Sequence, residues 1–304
     1  MTSSPRPFDA VLTVALGCFV LLGSGCASWQ AGSGGAHALQ PEVYSGRDGA
    51  RVAEVVSLSR RARVLYVAER HGDPVSHRAQ LQVATMAATV GPVVVAVEWL
   101  PASSQPTLDA WIAGKIPDGE LPTRLRWRKL WGHPWKAYAP IFHWCRRRRV
   151  PMVALNAEPG LARAVGRGGP LTTAQKNQLP ALNTGTAAHR ARFDEMMRAA
   201  AGAHSHHFTP ARLAAYYRAQ LVWDETMASN VSATLRRVSR DTVVVVCAGG
   251  GHLLYRFGLP ERVVGAPDAL VVRPVSETPT EPEPSRSGRR RADWLWVVSD
   301  AQAR

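Results

Sequence analysis

A chain of 304 residues with 46% hydrophobic side chains has enough apolar material for one large core or two small ones. Its 37 Lys and Arg exceed its 23 Asp and Glu, and the formal charge of +14 favours anionic partners: a membrane surface, a carboxylate-bearing ligand or nucleic acid. No zinc-finger spacing, aromatic RNA-binding signature or helix-turn-helix pattern accompanies that charge, so nucleic acid is not expected, and four cysteines without a paired motif argue against a disulfide scaffold or a structural zinc site.

Behind Arg6, residues 10 to 22 form an apolar run too short for a comfortable membrane span, and Gly23-Ser24-Gly25-Cys26 comes directly after it. This order predicts a signal peptide over residues 1–25 and acylation of Cys26 at the mature N-terminus. An ordinary signal peptide or an uncleaved anchor is the alternative, because Gly23 stands where an aliphatic residue is usual. Ala27 after the cysteine points to the outer membrane, so the expected location is the cell envelope, lipid-anchored. Residues 26–50, rich in Gly, Ala and Ser, read as a flexible tether. Residues 51–304 read as one α/β domain in which Cys145 and Cys247 are expected as two buried thiols, one disulfide between them being the alternative in an oxidising compartment.

Within that domain, short continuous apolar runs alternate with longer helix-like stretches. This rhythm predicts a mainly parallel sheet flanked by helices. Strands are expected at Val64–Ala68, Val93–Val97, Met152–Leu155 and Thr242–Ala248. Asp73-Pro74 is a capping residue with a first-turn proline behind it, and His77, Leu81, Ala84 and Ala88 then share one helical face. Further helices are expected over 105–114, 134–149 and 209–237. The second ends in Arg146 to Arg149, which complement the helix dipole; the third carries Asp224 inside an apolar stripe. Residues 276–290, rich in Pro, Glu, Ser and Arg, read as a disordered insertion. The run from Trp294 to Val298 is expected to pair with Leu270–Val275 at the sheet edge.

The chemistry lies at the strand ends. The first strand runs into Glu69-Arg70-His71, the second into Glu98, the third into Asn156, and the fourth into Gly249-Gly250-Gly251-His252. Parallel strands deliver their carboxyl ends to one edge, where ligands bind, so these residues are expected to line one pocket. Glu69 and His71 are two apart and share a face, which suits metal binding or acid–base work. His77 either joins them or is a core histidine. Asp224 is costly to bury unpaired, so it meets a cationic partner or reaches the pocket. His204, His206 and His207 are a weaker metal candidate, and Trp127, Trp131, Trp135 and Trp144 suit a ligand cavity or the core equally.

The stretch VLYVAERHGDPVSHRAQ (64–80) resembles the opening motif of the ChaN family. Val97-Glu98, LDAWIAG (108–114), VALNA (153–157), QLVWDETMA (220–228), GGGH (249–252) and ADWLW (292–296) also resemble family segments, in order. The resemblance implies a fold similar to the Tiki proteases and erythromycin-esterase-like enzymes. It implies haem binding by an exported lipoprotein of iron acquisition, with Glu69, His71, Glu98 and His252 as the shared polar cluster. It also implies haem ligation by a tyrosine across a homodimer, a tyrosine that no motif places in this chain. Ala68 stands where the family has glycine. The alternative function is a metal-dependent hydrolase: His71 and His252 would hold a divalent metal with a carboxylate, and either Glu69 or Glu98 would activate water. A non-catalytic envelope protein is a third reading.

Overall fold

Three valine-rich segments, Val64–Glu69, Val93–Pro101 and Val243–Gly249, are buried along their whole length. Side chains that alternate between two apolar environments need a sheet covered on both faces. In the computed structural model, which describes residues 42–202 and 208–298, they form the centre of such a sheet. The apolar run at 10–22, Cys26, most of the expected tether and the His204–His207 cluster lie outside the described residues.

The strands are β1 (Glu42–Ser45), β2 (Val64–Glu69), β3 (Val93–Pro101), β4 (Met152–Asn156), β5 (Val243–Gly249), β6 (Leu270–Val275), the pair β7 (Ser285–Arg286) and β8 (Arg289–Arg290), and β9 (Trp294–Val297). The main sheet has the order β1-β9-β6-β2-β5-β3-β4, parallel throughout except for β1 against β9. Cys247 stands opposite Val67 on one side and Val97 on the other, which aligns the carboxyl ends of β2, β5 and β3.

The helices that matter for the site are α1 (Val55–Arg61), α2 (Pro74–Ala87), α3 (Gln105–Ile112), α4 (Trp135–Arg148), α5 (Ala187–Ala201) and α6 (Pro210–Arg237). The Asp73 side chain caps α2 by accepting from the Ser76 amide at 3.0 Å, with Pro74 in the first turn. Leu65, Val67, Val95, Val97 and Val245 face a core shared with α2 and α4 that includes Trp99, Trp111, Tyr138 and Phe142. Val64, Tyr66, Ala96, Val244 and Val246 face the opposite side, under Met227, Val231 and Leu235 of α6. Cys145 and Cys247 are buried and unpaired. Among the described residues no helix is long and apolar enough to cross a membrane.

Two expectations need correction. The domain does not begin at residue 51, because Glu42–Ser45 pairs with β9 and closes the sheet edge. That leaves β9 internal and parallel to β6. Nor are residues 276–290 a disordered insertion. Glu283 is buried and accepts from Arg273 at 2.6 and 3.0 Å, and β7 and β8 form a hairpin just beyond it. Charge that reads as solvated in the sequence is drawn into an internal ion pair.

Trp296, fully buried in β9, donates from Nε1 to Gln82 Oε1 at 2.8 Å. Trp296→Ala should cost about 3–5 kcal/mol in chemical denaturation. Val264→Ala, at a position 75% exposed, should change stability by no more than about 0.5 kcal/mol.

Candidate functional site

Glu69 closes β2, and His71 stands two residues beyond it. His71 Nδ1 lies 2.6 Å from Glu69 Oε1. The other carboxylate oxygen accepts from Gln80 Nε2 at 2.7 Å and from Trp99 Nε1 at 3.0 Å. His77, in the first turn of α2, comes only to 3.6 Å of that oxygen. Its Nδ1 is 3.0 Å from Gln80 Oε1, its ring packs 4.0 Å from Tyr138 between centroids, and its buried Nε2 has no hydrogen-bond partner.

Glu98 sits inside β3, which continues to Pro101 after an irregularity in its pairing with β4. Its Oε2 accepts from the Gly249 amide at 2.6 Å, and its Oε1 faces His252 Nε2 at 3.4 Å. His252 lies just after β5 in a single helical turn, Gly250–Leu253. Its Nδ1 is 2.7 Å from Asp224 Oδ1, and the Gln220 amide lies 2.9 Å from the same nitrogen. Asp224 is therefore both buried and paired with a cation. His189 stands behind it, Nε2 at 3.7 Å from Oδ2, with Nδ1 3.1 Å from the Tyr217 hydroxyl.

Gly249 is the point where the two groups meet. A Cβ there would lie 3.0 Å from His71 Cε1, 3.3 Å from His71 Nε2 and 3.4 Å from Glu98 Oε2. The absence of a side chain lets β5 pass between the imidazole and the carboxylate.

Burial alone would raise the Glu98 carboxyl, but the His252 charge and hydrogen bonds bring it down to about 2. Burial alone would lower His252, but Glu98 and Asp224 push it up to about 10. The same opposition, burial against the Glu69–His71 hydrogen bond, leaves Glu69 lowered and His71 raised. The two site histidines therefore differ in kind. Both nitrogens of His252 face carboxylates, so it is a fixed imidazolium that neutralises buried acids. His71 is 17% exposed in its side chain and has one carboxylate partner, so its Nε2 is the position able to exchange a proton.

Two hollows open beyond the strand ends, on either side of Lys129, which lines both. One is a cleft of about 280 Å³ walled by Glu98, Trp99, Trp131, Asn156, Trp223 and His252. Asn156 holds its own loop by accepting from the Ala157 amide at 2.8 Å. The other is a groove of about 630 Å³ whose lining includes Arg126, Trp127, Arg128, Lys129, His133 and Trp135. Of the residues expected to share one pocket, Glu98, Asn156 and His252 line the cleft. Glu69, His77 and Asp224 are buried behind it, and His71 packs under Trp131 at 4.8 Å between ring centroids. Trp144 belongs to the core. Gln80, Trp99, Gln220 and His189 join the site without a motif of their own. Gln80 falls three residues after His77 and Gln220 four before Asp224, the spacings that place helical neighbours on one face.

An α/β sheet with acid–imidazole couples at its carboxyl edge defines a ligand-site class of fold. Residues 55–263 match the family described as haem-binding uptake, Tiki superfamily, ChaN, and the chain belongs to that family. The solved structure of ChaN from Campylobacter jejuni, described as binding haem cofacially, is similar in fold: TM-score 0.63 at 17% identity, covering 84% of this chain and 96% of that one. The type III effector HopBA1 matches at TM-score 0.46 and 12% identity, over 81% of this chain and 90% of its own. A mutant of the erythromycin esterase EreC in its open conformation matches at TM-score 0.45 and 12% identity, over 80% and 77%. Among curated proteins none matches in sequence.

His252→Ala strands two buried carboxylates and should cost about 3–5 kcal/mol. His71→Ala leaves Glu69 with its Gln80 and Trp99 donors and should cost about 1.5–3 kcal/mol. Equal losses in urea denaturation would refute this division of roles. The contribution of Glu98 is present above its ordinary 4.5 and lost as pH falls toward about 2. That of His252 is full below its ordinary 6.5 and lost as pH rises through about 10. Stability from this pair should therefore be greatest between pH 4.5 and 6.5, and Glu98→Gln should flatten the acid limb.

Proposed function

We propose that this protein is an exported, lipid-anchored haem-binding protein of the cell envelope, acting in haem or iron acquisition. Membership of the haem-binding ChaN family over residues 55–263 carries the reading. Haem demands apolar walls for the porphyrin, cations for two propionates and a donor for the iron. The carboxyl-edge face supports it with Trp127, Trp131, Trp135 and Trp223 beside Arg126, Arg128, Lys129 and Arg163. When bound, haem would supply a redox-active iron; this chain's residues would hold the ring and shield one of its faces. The cofacial haem of the Campylobacter jejuni protein supports extending the proposal to a homodimer, with a second copy meeting the open haem face.

A divalent metal on His71 and His252 does not fit the donors. Both nitrogens of His252 and the Nδ1 of His71 face carboxylates. Among the described residues no group of three or more His, Cys, Asp or Glu is disposed to hold a metal ion.

Adding haemin to the full chain in detergent should produce a saturable Soret band distinct from free haemin; an unchanged haemin spectrum at micromolar protein would refute haem binding. The apolar run before Cys26 supports acylation there and outer-membrane anchoring. A fatty-acid probe in cells should mark the wild type and spare Cys26→Ser, and equal labelling would remove the anchor from the proposal.

A further inference from the structure

The chain contains six tyrosines, and none lines either hollow. Tyr66, Tyr138, Tyr216, Tyr217 and Tyr255 are buried, and Tyr44 donates to Glu42 on the edge strand. The iron donor suggested by resemblance is thus not presented where a ligand would sit. The histidines are more informative. His71 is held by Glu69 and His252 by two acids, while His77 and His189 are buried. His133 alone of these site-face histidines combines a ring free of hydrogen bonds among the described residues with a place on the wall of the larger hollow.

The segment around His133 is built to hold that ring in place. Arg126 has φ 51° and Gly132 φ 84°, so two left-handed positions bracket the single turn Trp127–Leu130. A non-glycine residue takes that conformation only when its surroundings impose it. Trp127 Nε1 donates to the His133 carbonyl at 2.8 Å, pinning the backbone from below. Trp135 meets Trp127 edge to face at 4.9 Å. The His133 ring packs beside the His71–Trp131 pair, 5.4 Å from His71 and 5.5 Å from Trp131, centroid to centroid. Its Nδ1 lies beside Gly72, 3.4 Å from where a Cβ would stand, which leaves Nε2 as the ligating nitrogen.

Size and charge select the same place. Ligand pockets run to roughly 300–1,000 Å³; the groove at about 630 Å³ falls well within that range and the cleft at about 280 Å³ sits at its lower edge. Arg126, Arg128 and Lys129 line the groove and no acidic side chain does. We propose that haem binds in this groove, with His133 Nε2 as the donor to its iron, Trp135 against the porphyrin, and Arg126, Arg128 and Lys129 on the propionates. The proposal rests on the haem-binding reading and adds the place and the ligand.

The test uses the full chain in detergent with haemin, read by absorption and electron paramagnetic resonance. His133→Ala should displace the Soret band, change the ferric spin signature and weaken binding at least tenfold, and free imidazole should restore the wild-type spectrum. His133→Tyr should give the spectrum of a phenolate-ligated ferric haem. Arg126→Glu with Arg128→Glu should weaken binding while the spectrum of the bound fraction stays that of the wild type. If the His133→Ala protein binds with wild-type affinity and spectrum, the ligand assignment falls and haem binding stands. If the wild type itself yields no Soret band, the haem reading falls and the assignment with it.

Discussion

Glu69, Glu98 and Asp224 are buried in the interior of an apolar α/β domain, and the surrounding architecture keeps each of them supplied with donors. An ionised carboxylate removed from water without partners would cost more than the whole stability of an ordinary fold. Glu69 takes an imidazole, an amide and an indole; Glu98 takes a backbone N–H and an imidazolium; Asp224 takes the other nitrogen of that imidazolium. These donors come from the segment after β2, from α2, β3 and β5, and from the turn after β5, while α6 supplies Asp224. The positions of those elements are therefore tied to one another through charge as well as through apolar contact. Gly249 is the tightest constraint, since β5 carries both the amide that meets Glu98 and the turn that delivers His252.

The central strands are legible in the sequence because unbroken valine runs have few other uses in a chain of this composition. The carboxyl-edge residues are legible for a topological reason: parallel strands present their ends together whatever the details of packing. Asp224 reads as a problem needing a cation, though which cation depends on how α6 lies across the sheet. β1 is not legible because four residues with mixed polarity give no periodic signal, and their pairing partner is some 250 positions away. Nor is the hairpin after Glu283, because a stretch of Pro and Glu followed by arginines looks the same whether its charges face water or each other. Gln80 and Gln220 stay hidden because neutral amides on helices are usually surface residues. Their role here depends on carboxylates supplied by other elements.

The tryptophan-rich segment between α3 and α4 shows a different limit. Trp127, Trp131 and Trp135 recur every four residues, the spacing of an apolar helical stripe, and a continuous helix would have placed them together in the core. Left-handed backbone at Arg126 and Gly132 breaks that helix. Trp127 consequently packs inward, Trp131 covers His71, and Trp135 lines the open groove. Backbone turns at two residues convert what would be core packing into a wall for a ligand.

The antiparallel pairing of β1 also fixes how the molecule is oriented. Glu42 stands opposite Val297, the carboxyl end of β9, so the polypeptide enters the domain on the same rim that carries His71, His252 and both hollows. Whatever holds the N-terminal segment in place would hold that rim toward itself. A partner that gripped the chain at Glu42 would therefore sit beside the mouth of the site rather than behind it.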